Sequence, residues 1–308
     1  MAEIIVFKDL GRFYDKDDIE EVISEKKTSN YVGFCSRSVE IQIEGNCKFL
    51  ADAQLKLLCL FHHLVNQDLK VSLVFLSGKC RCFTFMDRCG FFANLPNQVS
   101  VTPEKPKANQ AASLRFQGQS VNLHEIRAVD PIISSNNRPI PSHMTDALSA
   151  LLKTNCERFL NDIQTVICEF CDNVSQHSQS TSPGFVYMHH YPFTQSIYIV
   201  IADVGVGLLN SLRQGLRDRN NIFKDSSDET LLLEMFNNGL SRKEEQRGSG
   251  LNRMADIAIK YQGTLHLRLD KWLVDLTPTG GKFASARFRK GAEMSGTHIS
   301  FSFEVPNL

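Results

Sequence analysis

The chain has 308 residues, of which 42% are hydrophobic and 22% are charged, a composition typical of a globular protein with room for two domains. Lysine and arginine total 34, as do aspartate and glutamate, so the overall charge supports neither nucleic acid nor a membrane surface as a partner. The apolar runs are shorter than the roughly 20 residues that span a bilayer, and nine scattered cysteines are typical of reduced thiols. We therefore expect a cytoplasmic protein that contacts no membrane.

The N-terminal part of the chain carries a strand, helix, strand pattern. The alternation in VEIQIEG predicts a strand, residues Ala53 to Gln67 predict an amphipathic helix, and LKVSLVFLS predicts a more buried strand. The stretch 102–120 is poor in apolar residues, and three prolines fall within 130–142. We assign residues 1–125 to an α/β module, residues 126–142 to a linker and residues 143–308 to a second domain.

The second domain begins with helices and continues as strands mixed with helices. Helical spacing of apolar residues runs from Met144 to His177, with a break predicted near 153–155. The runs FVYMHHYPF and QSIYIVIADV predict strands, 213–228 is polar, and ETLLLEMFNNG and Gly250–Gly263 predict helices. The runs TLHLRLD, KFASARF and THISFSFEV predict further strands. This order predicts an α+β fold with a C-terminal two-layer α/β sandwich.

A polar stripe interrupts the first long helical pattern. Glu169, Asn173 and His177 follow one another at four-residue spacing, which places them along one face of a helix. A solvated helix face is one explanation. A carboxylate, an amide and an imidazole in line also suit a binding site, and the sequence downstream favours that explanation.

Two glycine-rich motifs follow the stripe. The segment Asp203–Gly207 reads D-V-G-V-G at the end of an apolar strand, and the segment Gly248–Leu251 reads G-S-G-L at the start of a helix. Each motif alone also occurs in ordinary turns and helix starts. Together with the polar stripe, the two motifs predict a nucleotide-binding site.

The chemistry of these residues suits a nucleotide. Gly248 and Gly250 leave the backbone N–H groups of a helix start open to phosphates. Asp203 can accept a hydrogen bond from an exocyclic amine, and Asn173 offers a neutral oxygen that suits Mg²⁺. Glu169, one helical turn before Asn173, can orient or deprotonate an attacking water or hydroxyl.

The three motifs, in this order, resemble those of a known superfamily. E-x-x-D-N with a histidine four residues later, D-x-G-x-G and G-x-G-L are similar to the N, G1 and G2 boxes of the GHKL ATPases. Gly296-Thr297 before the terminal strand resembles the segment that closes the adenine pocket in that superfamily. The resemblance covers 144–308 and implies a Bergerat-type ATP-binding fold, with ATP and Mg²⁺ as ligands.

The resemblance also implies residue roles. Glu169 would be the catalytic carboxylate, and 208–247 would form a mobile lid in which Lys243 and Arg247 neutralise phosphate charge. A solvated basic turn explains those two cations equally well. The residues implied to bind ATP are Asn173 (through Mg²⁺), His177, Asp203, Gly205, Gly207, Lys243, Arg247, Gly248, Gly250, Leu251 and Thr297.

The part of the chain before the second domain bears on which type of GHKL protein the chain resembles. The run His124–Arg127 imitates the phosphoacceptor box of a sensor histidine kinase, but the prolines that follow argue against a helical hairpin there. The strand and helix order instead resembles a STAS module, the fold of anti-sigma-factor antagonists. In that alignment Asp52 stands near the position of the phosphorylated serine, and an N-cap is its simpler role.

These observations predict an ATP-binding regulatory protein. It would bind Mg-ATP and either hydrolyse it or transfer the γ-phosphate to a partner protein, as an ATPase or a serine-type kinase. The alternative is a non-hydrolysing module whose contacts with a partner depend on bound ATP or ADP. A homodimer is an expectation by analogy with the superfamily.

Overall fold

A computed structural model describes residues 2–27, 37–106, 124–152, 157–242 and 249–305. Helices and strands are mixed, and both parallel and antiparallel sheets occur, in agreement with the predicted α+β class. The strands are β1 (Glu3–Phe7), β2 (Phe13–Tyr14), β3 (Ser38–Ile43), β4 (Lys48–Phe49), β5 (Lys70–Phe75), β6 (Ser100–Thr102), β7 (His124–Val129), β8 (Gly184–Tyr191), β9 (Ser196–Asp203), β10 (Thr264–Leu269), β11 (Trp272–Thr279), β12 (Lys282–Lys290) and β13 (Thr297–Glu304). The helices are α1 (Lys16–Lys27), α2 (Ala51–Asn66), α3 (Arg81–Cys89), α4 (Phe91–Asn94), α5 (Pro139–Leu152), α6 (Glu157–His177), α7 (Leu208–Asp218), α8 (Asp228–Asn238) and α9 (Ser249–Lys260).

The N-terminal unit is built on a four-stranded parallel sheet. Its strand order is β1-β3-β5-β6, and α2 lies between β3 and β5 in the chain, as parallel neighbours require a long crossover. Val39, Ile41 and Ile43 are buried on alternate positions of β3. The predicted strand, helix, strand order of this part of the chain is thus confirmed.

The predicted N-cap role of Asp52 is wrong. The N-cap of α2 is Leu50, and Asp52 lies in the first helical turn, where its Oδ1 accepts a hydrogen bond from the Ala53 N–H at 2.8 Å. Burial raises the pKa of the Asp52 carboxyl, while the nearby Lys16 acts in the opposite direction. Because most of α2 is apolar and buried, the Asp52 carboxylate lies in the interior and not at a solvent-exposed helix end.

The second unit is built on a seven-stranded antiparallel sheet. Its order is β12-β11-β10-β13-β9-β8-β7, so the terminal strand β13 lies between β10 and β9 in the middle of the sheet. This register pairs Thr297 at the start of β13 with Asp203 at the end of β9. Two residues that are far apart in the sequence therefore lie side by side at one end of these two central strands.

Alternate side chains of the sheet belong to two different cores. Ile299, Phe301 and Phe303 of β13 are buried against the helices α6 to α9. Phe185 and Ala202, from β8 and β9, instead join the core of the N-terminal unit, whose helix α2 packs on this opposite face. The sheet is therefore covered on both faces.

A buried ionic cluster joins the two units. The Glu20 carboxylate of α1 pairs with Lys56 of α2 and accepts a hydrogen bond from Arg268 Nε of β10 at 3.2 Å. All three side chains are at least nine-tenths buried. Two cations share one carboxylate, and this shared carboxylate fixes the position of α1 against the sheet.

The stretch 126–142, predicted as a linker, is structured. Strand β7 pairs antiparallel with β8, and α5 begins at Pro139. Pro139 and Pro141 lie in the first turn of α5. Backbone N–H groups in a first turn have no acceptor within the helix, so proline, which lacks this group, is tolerated there. The prolines therefore start a helix here. The histidine-kinase-like run His124–Arg127 lies on the edge strand β7, which is consistent with rejecting it as a phosphoacceptor helix.

The segment 208–247, predicted as a mobile lid, contains two packed helices. Leu209, Leu212 and Leu216 of α7 are buried at helical spacing, and α8 buries a further apolar face. Helix α8 corresponds to the predicted helix ETLLLEMFNNG, whereas α7 was not predicted because mostly polar residues separate its buried leucines. The candidate residues Lys243, Arg247 and Gly248 lie outside the described residues. Among the helices that are described, none is both long and apolar enough to cross a bilayer.

Candidate functional site

A cavity of about 100 Å³ opens where the helices α6 to α9 meet the ends of β9 and β13. It lies at the point where the two central strands place Asp203 and Thr297 side by side. Its walls come from segments that are far apart in the chain. The predicted site residues that line it are Asn173, Asp203, Gly207, Gly250, Leu251 and Thr297.

Asp203 provides the carboxylate of the cavity. It is the last residue of β9, and its Oδ1 accepts a hydrogen bond from the Gly205 N–H at 2.8 Å. Burial raises the pKa of the Asp203 carboxyl to about 6, while the hydrogen bonds from Gly205 and Thr297 act in the opposite direction. The carboxyl is therefore largely ionised at neutral pH. Because the carboxylate is buried, a hydrogen-bond donor on a ligand would stabilise it.

The turn after Asp203 leaves no room for side chains at two glycines. A Cβ on Gly205 would lie 2.1 Å from the carbonyl oxygen of Ser178. Gly296, which has a φ of +98°, faces the same turn, and a Cβ there would lie 2.0 Å from the carbonyl oxygen of Asp203. These close approaches bring three backbone segments together at the cavity.

Thr297 connects three elements around the cavity. Its Oγ1 accepts a hydrogen bond from the Leu208 N–H at 2.9 Å, so it holds the first residue of α7. The same residue begins β13 and pairs with Asp203 across the sheet. The Gly296-Thr297 segment that the sequence indicated therefore lies at the cavity.

Ser178 is a lining residue that sequence reasoning missed. It follows the last residue of α6, it is buried, and its Oγ has no hydrogen-bond partner among the described residues. A buried hydroxyl without a partner is unfavourable unless a ligand or water completes it. A lone serine after a helix carries no signal in the sequence that would distinguish it from a turn residue.

Glu169 of α6 lies beside the cavity, and its carboxylate contacts the start of α9. A Cβ on Gly250 would lie 2.5 Å from Glu169 Oε2, so the carboxylate lies directly over the first turn of α9. Its other oxygen, Oε1, accepts a hydrogen bond from Arg253 Nη1 at 3.0 Å. Asn173, one turn further along α6, lines the cavity itself. Glu169 therefore faces the start of α9, and Asn173 faces the cavity beside it.

The remaining walls of the cavity are mostly apolar. Sequence reasoning missed them because leucine and methionine at helical spacing are also typical of an ordinary core. Polar groups of Ser211 and Arg242 were missed as well. His177 ends α6, and its side chain lies outside the described residues. The apolar lining residues are Phe170, Leu208, Leu212, Met235, Leu240, Met254 and Ile299.

Two oxygen-bearing side chains on α6, Asn173 and Glu169, could serve as ligands of a metal ion. Within the described residues, no group of three or more histidine, cysteine, aspartate or glutamate side chains could hold a metal ion. The amide oxygen of Asn173, with Glu169 one turn away, is a sparse oxygen set of the kind that Mg²⁺ uses alongside phosphates.

The comparisons with known proteins leave the site to be interpreted from its own geometry. No protein-family model matches the chain, and no curated protein matches its sequence. The cavity combines the Asp203 carboxylate, the buried Ser178 hydroxyl and apolar walls with Gly250 in the first turn of α9. Such a cavity can take a ligand with a flat polar base and an anionic tail.

Proposed function

We propose that this chain binds Mg-ATP in the cavity, as a GHKL-type protein with a Bergerat-type ATP-binding fold. The observation that carries the proposal is the convergence of three separate motifs on one cavity. The stripe on α6, the end of β9 and the start of α9 each contribute a lining residue, namely Asn173, Asp203 and Gly250. An accidental set of turns and caps has no reason to share a cavity.

The end of the cavity at Asp203 suits the adenine base. An ionised carboxylate accepts a hydrogen bond from the exocyclic amino group, and such charge-assisted bonds are stronger than neutral ones. The unpartnered Ser178 hydroxyl offers a second polar contact. Leu212, Met235 and Met254 supply apolar surface for the faces of a purine ring.

The start of α9 suits the phosphates. Gly250 lies in the first turn of a 12-residue helix, where free N–H groups and the helix dipole favour negative charge. Asn173 would hold Mg²⁺, which supplies neutralisation of phosphate charge when it is bound. Glu169 lies over the same helix start, within reach of a group that attacks the terminal phosphate.

The reaction we propose is hydrolysis of ATP or transfer of its γ-phosphate to a partner protein. The N-terminal unit, which we compare with a STAS module, packs its helix α2 on the opposite face of the ATP-binding sheet and would sense the bound nucleotide there. The protein would then act as a cytoplasmic regulatory switch between ATP-bound and ADP-bound forms. A second copy of the chain is one partner that such a switch can have.

Calorimetric titration of Mg-ATP, Mg-ADP and Mg-GTP tests the proposal. We expect the wild type to bind Mg-ATP and to discriminate against Mg-GTP, because guanine presents an oxygen where adenine presents its amino group. Asp203→Asn should weaken Mg-ATP binding by roughly tenfold or more, as expected for a lost charge-assisted hydrogen bond. The matched control is Asp146→Asn on α5, an exposed aspartate that does not line the cavity, and it should leave affinity unchanged.

Two outcomes would reject this proposal: a folded wild type that fails to bind at millimolar nucleotide, or equal affinity in Asp203→Asn and Asp146→Asn. Phosphate release and labelling of partner proteins from radiolabelled ATP then separate the reaction types. Binding without either product would favour the non-hydrolysing module. The pairing of Glu169 with Arg253 beside the cavity is the observation that keeps this second candidate open.

A further inference from the structure

Two ion pairs join α6 to α9, and they repeat at the same spacing on both helices. Glu169 pairs with Arg253 at 3.0 Å, and Asp162 pairs with Lys260. The acids are seven residues apart on α6 and the bases are seven residues apart on α9, in opposite chain order. The pairs therefore lie two turns apart along the contact between two antiparallel helices.

Only the Glu169 pair adjoins the cavity. Glu169 Oε1 is bound to Arg253, and Glu169 Oε2 lies over Gly250, where a Cβ would come within 2.5 Å. The Arg253 side chain is 56% exposed, and an exposed ion pair contributes little to stability. The guanidinium instead restricts where the carboxylate can point, since one oxygen is engaged and the other is left at the helix start.

We propose that Arg253 is the positioning residue for Glu169 in the reaction of the bound nucleotide, an inference that rests on the proposed function. In hydrolysis, the water oxygen bonds to the γ-phosphorus while the bond from that phosphorus to the departing ADP oxygen breaks. Glu169 accepts the proton of the water. Arg253 holds Glu169 Oε1 so that Oε2 stays at the helix start, and it offsets the negative charge of Glu169 beside the phosphates.

The positioning role of Arg253 is tested by comparing Arg253→Ala, Arg253→Lys and Lys260→Ala in the full chain. Lys260→Ala is the matched control, because it removes an ion pair between the same two helices at the end away from Gly250. For each variant we would measure kcat from phosphate release, the Kd of Mg-ATP by calorimetry, and the melting temperature. Arg253→Ala should lower kcat by about tenfold or more and change Kd by less than about threefold.

Two further results are expected. Arg253→Lys should recover part of kcat, because an ammonium keeps the charge and loses the forked geometry. In a Glu169→Gln background, Arg253→Ala should lower kcat no further, since the arginine acts through the carboxylate. Lys260→Ala should match the wild type in kcat and Kd, with the same melting temperature as Arg253→Ala.

Several outcomes would overturn the positioning role. One is an equal fall in kcat for Arg253→Ala and Lys260→Ala, which would mean that both pairs serve helix packing. Another is a tenfold weaker Kd with unchanged kcat, which would mean that Arg253 binds phosphate directly. A wild type that binds Mg-ATP without turnover would also overturn it. If the wild type turns over ATP, the proposed function stands whatever Arg253→Ala does, whereas a wild type that binds no nucleotide rejects both.

Discussion

Replacing Asp203 with asparagine should stabilise the nucleotide-free fold while it removes the contact proposed for the base. Burial raises the pKa of this carboxyl from 3.8 to about 6, so the ionised form is less favourable in the folded chain than in the unfolded chain. A pKa difference of about 2 corresponds to about 3 kcal/mol at neutral pH. This is an upper value, because the cavity leaves Asp203 some contact with solvent. Asparagine retains an oxygen for the Gly205 N–H.

The effect of Asp203→Asn on stability should depend on pH. Below pH 3.8, Asp203 is protonated in both the folded and the unfolded chain, so its charge does not destabilise the fold. The destabilisation of the wild type grows as the pH rises to about 6 and is constant above that value. Urea unfolding of the wild type and Asp203→Asn between about pH 4 and about pH 8 measures the difference in the free energy of unfolding.

The gain in stability from Asp203→Asn should therefore be small near pH 4 and reach up to about 3 kcal/mol above pH 6. The exposed control, Asp146→Asn, should follow the wild type at every pH. A variant less stable than the wild type at neutral pH would refute the buried-charge argument. A difference that does not change with pH would refute it as well.

Three further predictions follow from the same structure. Gly296→Ala should destabilise the fold by about 1–3 kcal/mol more than Gly281→Ala in urea unfolding, because both glycines have positive φ but only the first would meet backbone, at 2.0 Å. Glu20→Gln should destabilise the fold by about 3–5 kcal/mol and by more than Lys56→Met, since it leaves two buried cations without a carboxylate. An equal decrease in the free energy of unfolding for the two variants would contradict this. Mg-ATP affinity measured by calorimetry should fall as the pH drops through about 6, where Asp203 gains a proton, and a constant affinity would count against the base contact.

The fold could be predicted where local period and tertiary burial agree. The alternation of β3 and the apolar run of β9 both gave strands, and the spacing in α6 gave a helix. Helix α7 was missed because its buried leucines are separated by arginine, glutamine and asparagine. Strand β7 was missed because the prolines after it dominated the interpretation, although a proline in the first helical turn is compatible with a helix.

The site could be predicted only where chemistry restricts the residue type. Glycine is required at Gly205 and Gly296 by close backbone approaches, and such requirements leave a visible motif. The walls of the cavity have no such requirement, so Met254 was indistinguishable from a core residue. The pairing of Arg253 with Glu169 depends on how α6 and α9 pack against each other, and spacing along one chain segment cannot reveal it.

The most direct test of the central claim is a crystal structure of the protein with Mg²⁺ and a non-hydrolysable ATP analogue. We expect the adenine amino group to lie against the Asp203 carboxylate and the phosphates at the first turn of α9, with Asn173 on the metal side. An analogue bound elsewhere on the chain, or a base directed away from Asp203, would contradict Mg-ATP binding in the cavity and would leave the three motifs as ordinary turns and a helix start.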